Sequence, residues 1–299
     1  MADISAELIK DLRLKTGAGL LDCKKALMES VGNVDQAVEI LRKSGAAKAD
    51  KKTGRITAEG RISLRVEGAQ AVMVEVNSET DFVAKNPEFQ AFADEVAQEI
   101  LKSRPENLEA LLHASLKGQS IETVLKGMIA KIGENISIRR FVRIEAAPGE
   151  VIGSYVHMGN KIAVLVKIKG PLEKITEAAT RDVAMHVAAC APQYLSRENI
   201  PAEVIAKEKE IYLEQMKDSG KPPQVLEKII EGKVAKFADE VCLVSQPFVK
   251  DPTGKQNISQ FLKQIDPQIS VLGFVRYQVG EGIAKKEQDF ASEVAKAMS

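Results

Sequence analysis

Apolar positions over residues 1–45 repeat with the period of an α-helix and predict three short amphipathic helices. The apolar faces of the first two are formed by Ile4, Leu8 and Leu12, and by Leu20, Cys23 and Leu27. The third helix begins at Asn33, with Gln36 three residues on as in a capping box, and Gly45 is a suitable residue at its end. Residues 46–55 are mostly polar and basic, which predicts a linker.

From Ile56 onward the pattern changes to alternating apolar and polar positions, which predicts β-strands. Two strands joined at Gly68-Ala69 form a hairpin, and the second ends at a short connection, residues 77–86. A helix then runs from Pro87 to about Lys102, with Asn86 as its N-cap. Less regular helical segments at 106–117 and 120–132 and a strand at 136–144 complete a first α+β half, residues 56–147.

A second half, residues 148–280, repeats this order of elements. It contains a hairpin at 151–168, a helix at 172–191 and a late strand in which Phe274-Val275-Arg276-Tyr277 is similar to Phe141-Val142-Arg143-Ile144. The sequence therefore predicts an α+β core built from two related halves.

A pair of helices interrupts the second half at about residues 201–238. Both have narrow apolar stripes and charged outer faces, and Gly220-Lys221-Pro222-Pro223 separates them, which predicts an antiparallel helical hairpin. Residues 281–299 predict a C-terminal module. Its one amphipathic helix follows Gly280-Glu281-Gly282.

Composition then excludes several classes of protein. The chain has 42 basic and 42 acidic residues and no formal net charge, so bulk attraction to nucleic acid is not expected. Its three cysteines are far apart and predict free thiols in a reducing compartment. No apolar run reaches the ~18 residues of a membrane span, and the N-terminus lacks the features of a signal peptide. We expect a cytoplasmic protein without direct contact to nucleic acid or membrane.

Catalytic chemistry is not predicted. The three histidines have no zinc-ligand spacing, and neither a phosphate-binding loop nor a nucleophile motif is found. His186 falls on an apolar helix face and is expected in the core, whereas His157 ends a strand before Gly159-Asn160 and is expected to be exposed. The sequence predicts a binding protein with no catalytic residue, no metal and no cofactor.

The connection at 77–86 places an acidic residue beside a large aromatic one, Asp81 and Phe82. Because large aromatic side chains are usually buried, the simpler interpretation makes Phe82 a core residue and Asp81 a turn or cap residue. The alternative is an exposed pair that contacts a partner. The local pattern does not decide between the two.

Longer stretches carry a family resemblance. Thr16–Leu27 (TGAGLLDCKKAL) and Asn77–Asn86 (NSETDFVAKN) resemble the two signatures of the bacterial elongation factor Ts family. Shorter blocks similar to the family follow in the same order: 131–136, 153–157, 185–189, 246–249 and 279–283. The resemblance covers the whole chain. One departure is Leu20-Leu21, where the family often has methionines of similar volume, so an apolar contact there is expected to persist.

This resemblance implies a guanine-nucleotide exchange factor for the GTPase elongation factor Tu, and not an enzyme. It implies that residues 1–45 form a ubiquitin-associated-like module that docks on the nucleotide-binding domain of the partner. It also implies which residues contact the partner: Leu20, Leu21, His157 and a segment that dislodges Mg²⁺, Thr80, Asp81, Phe82 and Val83. The strongest alternative function is an adaptor with the same module and no effect on nucleotide affinity.

Overall fold

The computed structural model describes residues 4–217 and 222–284, a mixed α+β fold as the sequence predicts. The helices in this part are α1 (Ala6–Thr16), α2 (Leu20–Glu29), α3 (Val34–Asp50), α4 (Asp81–Ala84), α5 (Pro87–Ser103), α6 (Leu108–His113), α7 (Ile121–Ile132), α8 (Glu177–Cys190), α9 (Ala202–Met216), α10 (Pro223–Val241) and α11 (Ile258–Ile265). The strands are β1 (Glu59–Glu67), β2 (Gln70–Ser78), β3 (Ser115–Leu116), β4 (Gln119–Ser120), β5 (Ile136–Glu145), β6 (Glu150–Val156), β7 (Ile162–Lys169) and β8 (Ser270–Gln278).

These strands form small sheets with the orders β1-β2-β5, β3-β4 and β6-β7-β8. Strands β6 and β7 are antiparallel, with Glu150 opposite Lys169 and Val156 opposite Ala163. Helix α8 packs on this pair. The valines of β2 pack with the apolar face of α5, whose Phe89 and Phe92 are buried. Each three-stranded sheet thus has a helix on one face.

The described residues divide into two compact units. Residues 4–65, 72–143 and 278–284 belong to the first unit, and residues 66–71 and 144–277 to the second. Among the described residues, no helix is both long and apolar enough to cross a membrane. The C-terminal helix that the sequence predicts lies outside the described residues.

The first three helices form where the apolar pattern predicts them. Ser5 caps α1, because its side chain accepts a hydrogen bond from the N–H of Leu8 at 3.2 Å. Asn33 caps α3 in the same way, with the N–H of Gln36 at 3.0 Å. A small buried cluster holds the three helices together, formed by Leu12, Cys23, Ala26, Leu27 and Ala37.

The predicted end of the third helix at Gly45 is wrong. Helix α3 continues to Asp50, so residues 46–50 of the predicted linker are helical. Gly45 is buried, and a Cβ atom there would lie 3.2 Å from the Cβ of Ala130 in α7. Ala49, one turn later, belongs to the buried core of the first unit. Gly45 therefore lets α3 and α7 approach closely, and this packing overrides the tendency of glycine to end a helix.

We expect Gly45→Leu to lower the free energy of unfolding by about 1–3 kcal/mol, because the new side chain is forced into the contact with α7. Gly127→Ala is the matched control: a Cβ at Gly127, also in a helix, meets nothing within 4 Å, so the change is expected to stabilise the chain by up to ~1 kcal/mol. Urea unfolding measures both. Equal stability of the two variants would contradict the close α3–α7 contact.

Other boundaries differ from the prediction by several residues. Helix α8 begins at Glu177 with Thr176 as its N-cap, not at Leu172, and the helical segment predicted at 106–117 is the short α6. In the region of the predicted helical hairpin, Val204 at the start of α9 packs near Ala238 at the end of α10. Further along, the Nζ of Lys233 lies 5.0 Å from the ring centre of Tyr212. These contacts make α9 and α10 antiparallel.

A buried carboxylate lies in the middle of β2. The Glu75 side chain is fully buried and accepts hydrogen bonds from Arg139 Nη1 at 3.0 Å, Arg140 Nε at 2.6 Å, the N–H of Gly280 at 2.8 Å and Asn77 Nδ2 at 3.2 Å. Burial alone raises the pKa of Glu75, but the hydrogen bonds from Gly280 and the two guanidinium groups outweigh it, so the pKa lies below its ordinary value. This cluster fastens the chain after β8 to the first unit.

Gly280 is required where it contacts this cluster. Its φ is +72°, and a Cβ atom would lie 2.3 Å from the carbonyl oxygen of Ala58. Only glycine brings its N–H to Glu75 from this position without a clash.

Candidate functional site

Phe82 is exposed at the surface of the first unit. Its side chain is 80% exposed, whereas the two residues that follow, Val83 and Ala84, are buried. Thr80 is the N-cap of α4, so the connection is a single helical turn and not an irregular loop. The turn directs Phe82 to solvent and the next two side chains to the core. The interpretation of Phe82 as a core residue is therefore wrong.

Hydrogen bonds hold this turn in place; we call residues 79–85 the Phe82 segment. The carboxylate of Glu134 accepts from the N–H of Thr80 at 3.0 Å and from its hydroxyl at 2.7 Å. Glu79 Oε1 accepts from the N–H of Asn135 at 2.6 Å. At the other end, Gln90 Nε2 donates to the carbonyl of Ala84 at 3.4 Å. Because both ends are fixed, Phe82 has a defined position on the surface.

The residues beside Phe82 carry opposite charges. Asp81 forms an ion pair with Lys85 at 2.7 Å, and both side chains are substantially exposed. The Nζ of Lys85 lies 6.0 Å from the centre of the Phe82 ring. Exposed ion pairs contribute little to stability, so a partner can replace this one at small cost. The segment thus presents an aromatic ring, an acid and a base side by side.

Leu20 and Leu21 form a second exposed apolar site at the start of α2. Their side chains are 56% and 79% exposed. Leu20 was predicted to share the buried face of Cys23 and Leu27, but only those two are buried. Exposed leucines at adjacent positions are suited to an apolar contact with a partner.

His157 belongs to the second unit and is exposed, as the sequence predicts. Its Nδ1 lies 3.1 Å from the hydroxyl of Tyr155, which is near the end of β6, and this contact orients the ring. The next residue, Met158, is also exposed. The positive φ of Gly159, +78°, closes the turn to β7.

His186 is the buried core residue that the sequence predicts. Gln246 donates from Nε2 to the carbonyl of Glu240 at 2.7 Å, which leaves its Oε1 to accept from His186 Nε2 at 3.0 Å. His186 Nδ1 accepts from the N–H of Val249 at 3.2 Å. Burial lowers the pKa of His186, and the hydrogen bond to Gln246 only partly offsets this effect. The ring is held neutral in a structural role.

The predicted site residues fall into three groups. Thr80, Asp81 and Phe82 lie in one turn, and Val83, predicted with them, is buried beneath it. Leu20-Leu21 lie on α2 of the same unit, and His157 lies in the other unit. In the described ranges, no three His, Cys, Asp or Glu side chains are placed to hold a metal ion.

Three supporting residues were missed at the sequence level: Glu134, Lys85 and Tyr155. Glu134 lies in a stretch, 131–136, that resembles a family block, but nothing in that stretch indicates that its carboxylate reaches Thr80. Lys85 follows Asp81 at the i,i+4 spacing of a helical ion pair, a usable signal once the connection is recognised as a helical turn.

The chain is similar to known proteins over nearly its whole length. Residues 79–281 match the family model described as Elongation factor TS. The chain is 51% identical over 293 residues to the Elongation factor Ts of Alkalilimnicola ehrlichii, covering 97% of each chain. It is 48% identical over 296 residues to the Elongation factor Ts of Psychromonas ingrahamii, covering 99% of this chain and 97% of the relative. The matched residues include the Phe82 segment and His157.

Proposed function

The chain belongs to the elongation factor Ts family and is thus a translation elongation factor, and we propose that it promotes the exchange of GDP for GTP on elongation factor Tu. The exposure of Phe82 on a fixed turn is the single observation that carries this proposal. Since translation takes place in the cytoplasm, the proposal includes that location.

Exchange follows from linkage between two binding equilibria. A protein that binds the nucleotide-free GTPase more tightly than its GDP complex must weaken GDP binding by the same factor. It performs no covalent chemistry, so no general acid, base or nucleophile is needed. The three groups of site residues are accordingly contact surfaces.

Phe82 is proposed to act as a wedge at the nucleotide site of the GTPase. Mg²⁺ requires near-ideal octahedral coordination by oxygen, so a small shift of one segment of the pocket is enough to release it. The phosphates of GDP then lose their main counter-charge. A large aromatic side chain on a preorganised turn suits this task, because little conformational entropy is lost when it inserts.

The N-terminal helices are proposed to dock the chain on elongation factor Tu. Helices α1–α3 have the size of a ubiquitin-associated-like module, and Leu20-Leu21 give it an exposed apolar contact. These leucines are proposed to contact an apolar surface near the nucleotide site of elongation factor Tu. The antiparallel hairpin of α9 and α10 has no assigned part in this proposal.

The release of labelled GDP from purified elongation factor Tu tests the proposed function. We expect the chain, at catalytic concentration, to accelerate release strongly, because it binds the nucleotide-free state preferentially. An adaptor would bind elongation factor Tu, or another protein, and leave the rate unchanged. An unchanged rate would contradict the proposed exchange activity and favour the adaptor function.

His157 is proposed to act by contact and not as a proton acceptor. We expect His157→Ala to slow stimulated GDP release by about three- to tenfold, the usual effect of one ordinary interface side chain, with a similar ratio between about pH 6 and pH 8. Tyr155→Phe, which removes the hydroxyl that orients the ring, is expected to have a smaller effect. A pH-dependent step in the wild-type rate that disappears in His157→Ala would contradict the contact role.

A further inference from the structure

Residues 133–135 form the turn that follows α7, and we call them the clasp turn. The clasp turn is hydrogen-bonded to the residue that begins the helical turn of the Phe82 segment. Its Glu134 accepts two hydrogen bonds from Thr80, one from the N–H and one from the hydroxyl. Two charge-assisted bonds to one residue fix both its peptide plane and its side chain. Because Thr80 is the N-cap of α4, its orientation sets the direction in which Phe82 points.

The same turn also binds the chain that follows α3. Asn135 is buried, and its Nδ2 donates to the carbonyl oxygens of Thr53 at 3.3 Å and Arg55 at 2.9 Å. Its own N–H donates to Glu79, and Arg55 Nη1 forms an ion pair with that same carboxylate at 3.3 Å. Asn135 thus joins the end of the N-terminal helices to the residue before Thr80.

Direct packing strengthens this connection. Lys52 Nζ donates to the carbonyl of Gly133 in the clasp turn. One turn earlier in α7, Ala130 lies against Gly45 of α3. The region predicted as a linker between the docking helices and the Phe82 segment is therefore a packed connection and not a loose tether.

We propose that Glu134 and Asn135 are positioning residues for nucleotide exchange, which hold Phe82 in register with the docking helices that carry Leu20-Leu21. The inference rests on the proposed function and extends it. When α2 docks on the GTPase, Phe82 then has a defined position relative to it, because the clasp turn connects the chain after α3 to Thr80. When neighbouring residues hold an acting group in the correct position, the effect on the reaction rate is large.

Glu134→Gln and Thr80→Val in the full chain test this role. Each is expected to lower the maximum rate of GDP release about tenfold, because Glu134→Gln removes the charge that assists both bonds to Thr80 and Thr80→Val removes the hydroxyl bond. The concentration of chain that gives half the maximum rate is expected to stay within about twofold, because Leu20-Leu21 are unchanged. Thr80→Ser retains the hydroxyl and is expected to restore most of the rate. The double variant is expected to be no slower than either single variant.

Glu122→Gln is the control, because Glu122 lies at the other end of α7, away from the clasp turn, where it pairs with Lys126. It is expected to leave the rate unchanged. A raised half-maximal concentration with an unchanged maximum rate, or losses that simply add in the double variant, would overturn the positioning role.

Hydrogen exchange of the backbone amides of residues 80–84 provides a readout that does not depend on elongation factor Tu. Glu134→Gln is expected to speed exchange of these amides, and Glu122→Gln is expected not to. If the wild-type chain fails to accelerate GDP release but these amides respond as expected, only the proposed function fails. Unchanged amide exchange in Glu134→Gln would overturn the positioning role itself.

Discussion

Phe82→Ala is expected to slow stimulated GDP release by more than tenfold and to leave the thermal stability of the chain nearly unchanged. Truncating an aromatic anchor at an interface costs about 2–4 kcal/mol, and each ~1.4 kcal/mol is a factor of ten. Because 80% of the Phe82 side chain is exposed, its removal leaves no cavity in the core. The substitution is therefore expected to reduce exchange activity without reducing thermal stability.

Phe89→Ala is the contrasting variant for this measurement. Phe89 is fully buried in the adjacent helix α5, so its truncation is expected to lower the free energy of unfolding by about 3–5 kcal/mol. Asp81→Ala is expected to reduce GDP release less than Phe82→Ala, because its carboxylate is already paired with Lys85. A large fall in melting temperature for Phe82→Ala would contradict this prediction and show that the side chain has a structural role.

Glu75→Gln is expected to lower the free energy of unfolding by about 3–5 kcal/mol at neutral pH. The variant leaves Arg139 and Arg140 without their buried counter-charge. It also weakens the bond to the N–H of Gly280, which belongs to the same unit as Glu75. Glu109→Gln, a change of an exposed carboxylate in α6, is the control and is expected to stay within about 0.5 kcal/mol of wild type.

The contribution of Glu75 depends on pH in a defined direction. Its pKa is lowered in the folded chain, so the unfolded chain binds more protons at acidic pH. The stabilisation is complete above the ordinary value of 4.5 and is lost as the pH falls below it towards the folded pKa. Urea unfolding at several pH values is expected to show that the difference between wild type and Glu75→Gln shrinks on acidification. A difference that grows would contradict the buried ion pair.

Local signals in the sequence predict much of the fold. Asn86 accepts a hydrogen bond from the N–H of Glu88, and α5 begins at Pro87, as the cap pattern indicates. The paired strands around Gly159-Asn160 also form where the alternation predicts them. Caps, turns and apolar periodicity act over a few residues, so they can be recognised without knowing the tertiary contacts.

Features that depend on distant residues were not predicted. Gly45 resembles a helix end until Ala130, far along the chain, is known to lie against it. Glu75 falls at a polar position of an alternating strand, yet both faces of β2 are covered and its partners come from β5 and from Gly280. For Phe82, the sequence left burial and exposure open, because a four-residue helical turn is too short to show periodicity.

Displacement of Mg²⁺ by Phe82 is the central claim, and GDP release with and without a chelator tests it most directly. Labelled GDP bound to elongation factor Tu is chased in the presence of saturating wild-type chain or Phe82→Ala, first with Mg²⁺ and then with excess chelator. If Phe82 acts by releasing Mg²⁺, the wild type is more than tenfold faster with Mg²⁺, and the two rates converge once the chelator has removed the ion. A ratio that is the same with and without Mg²⁺ would contradict the claim.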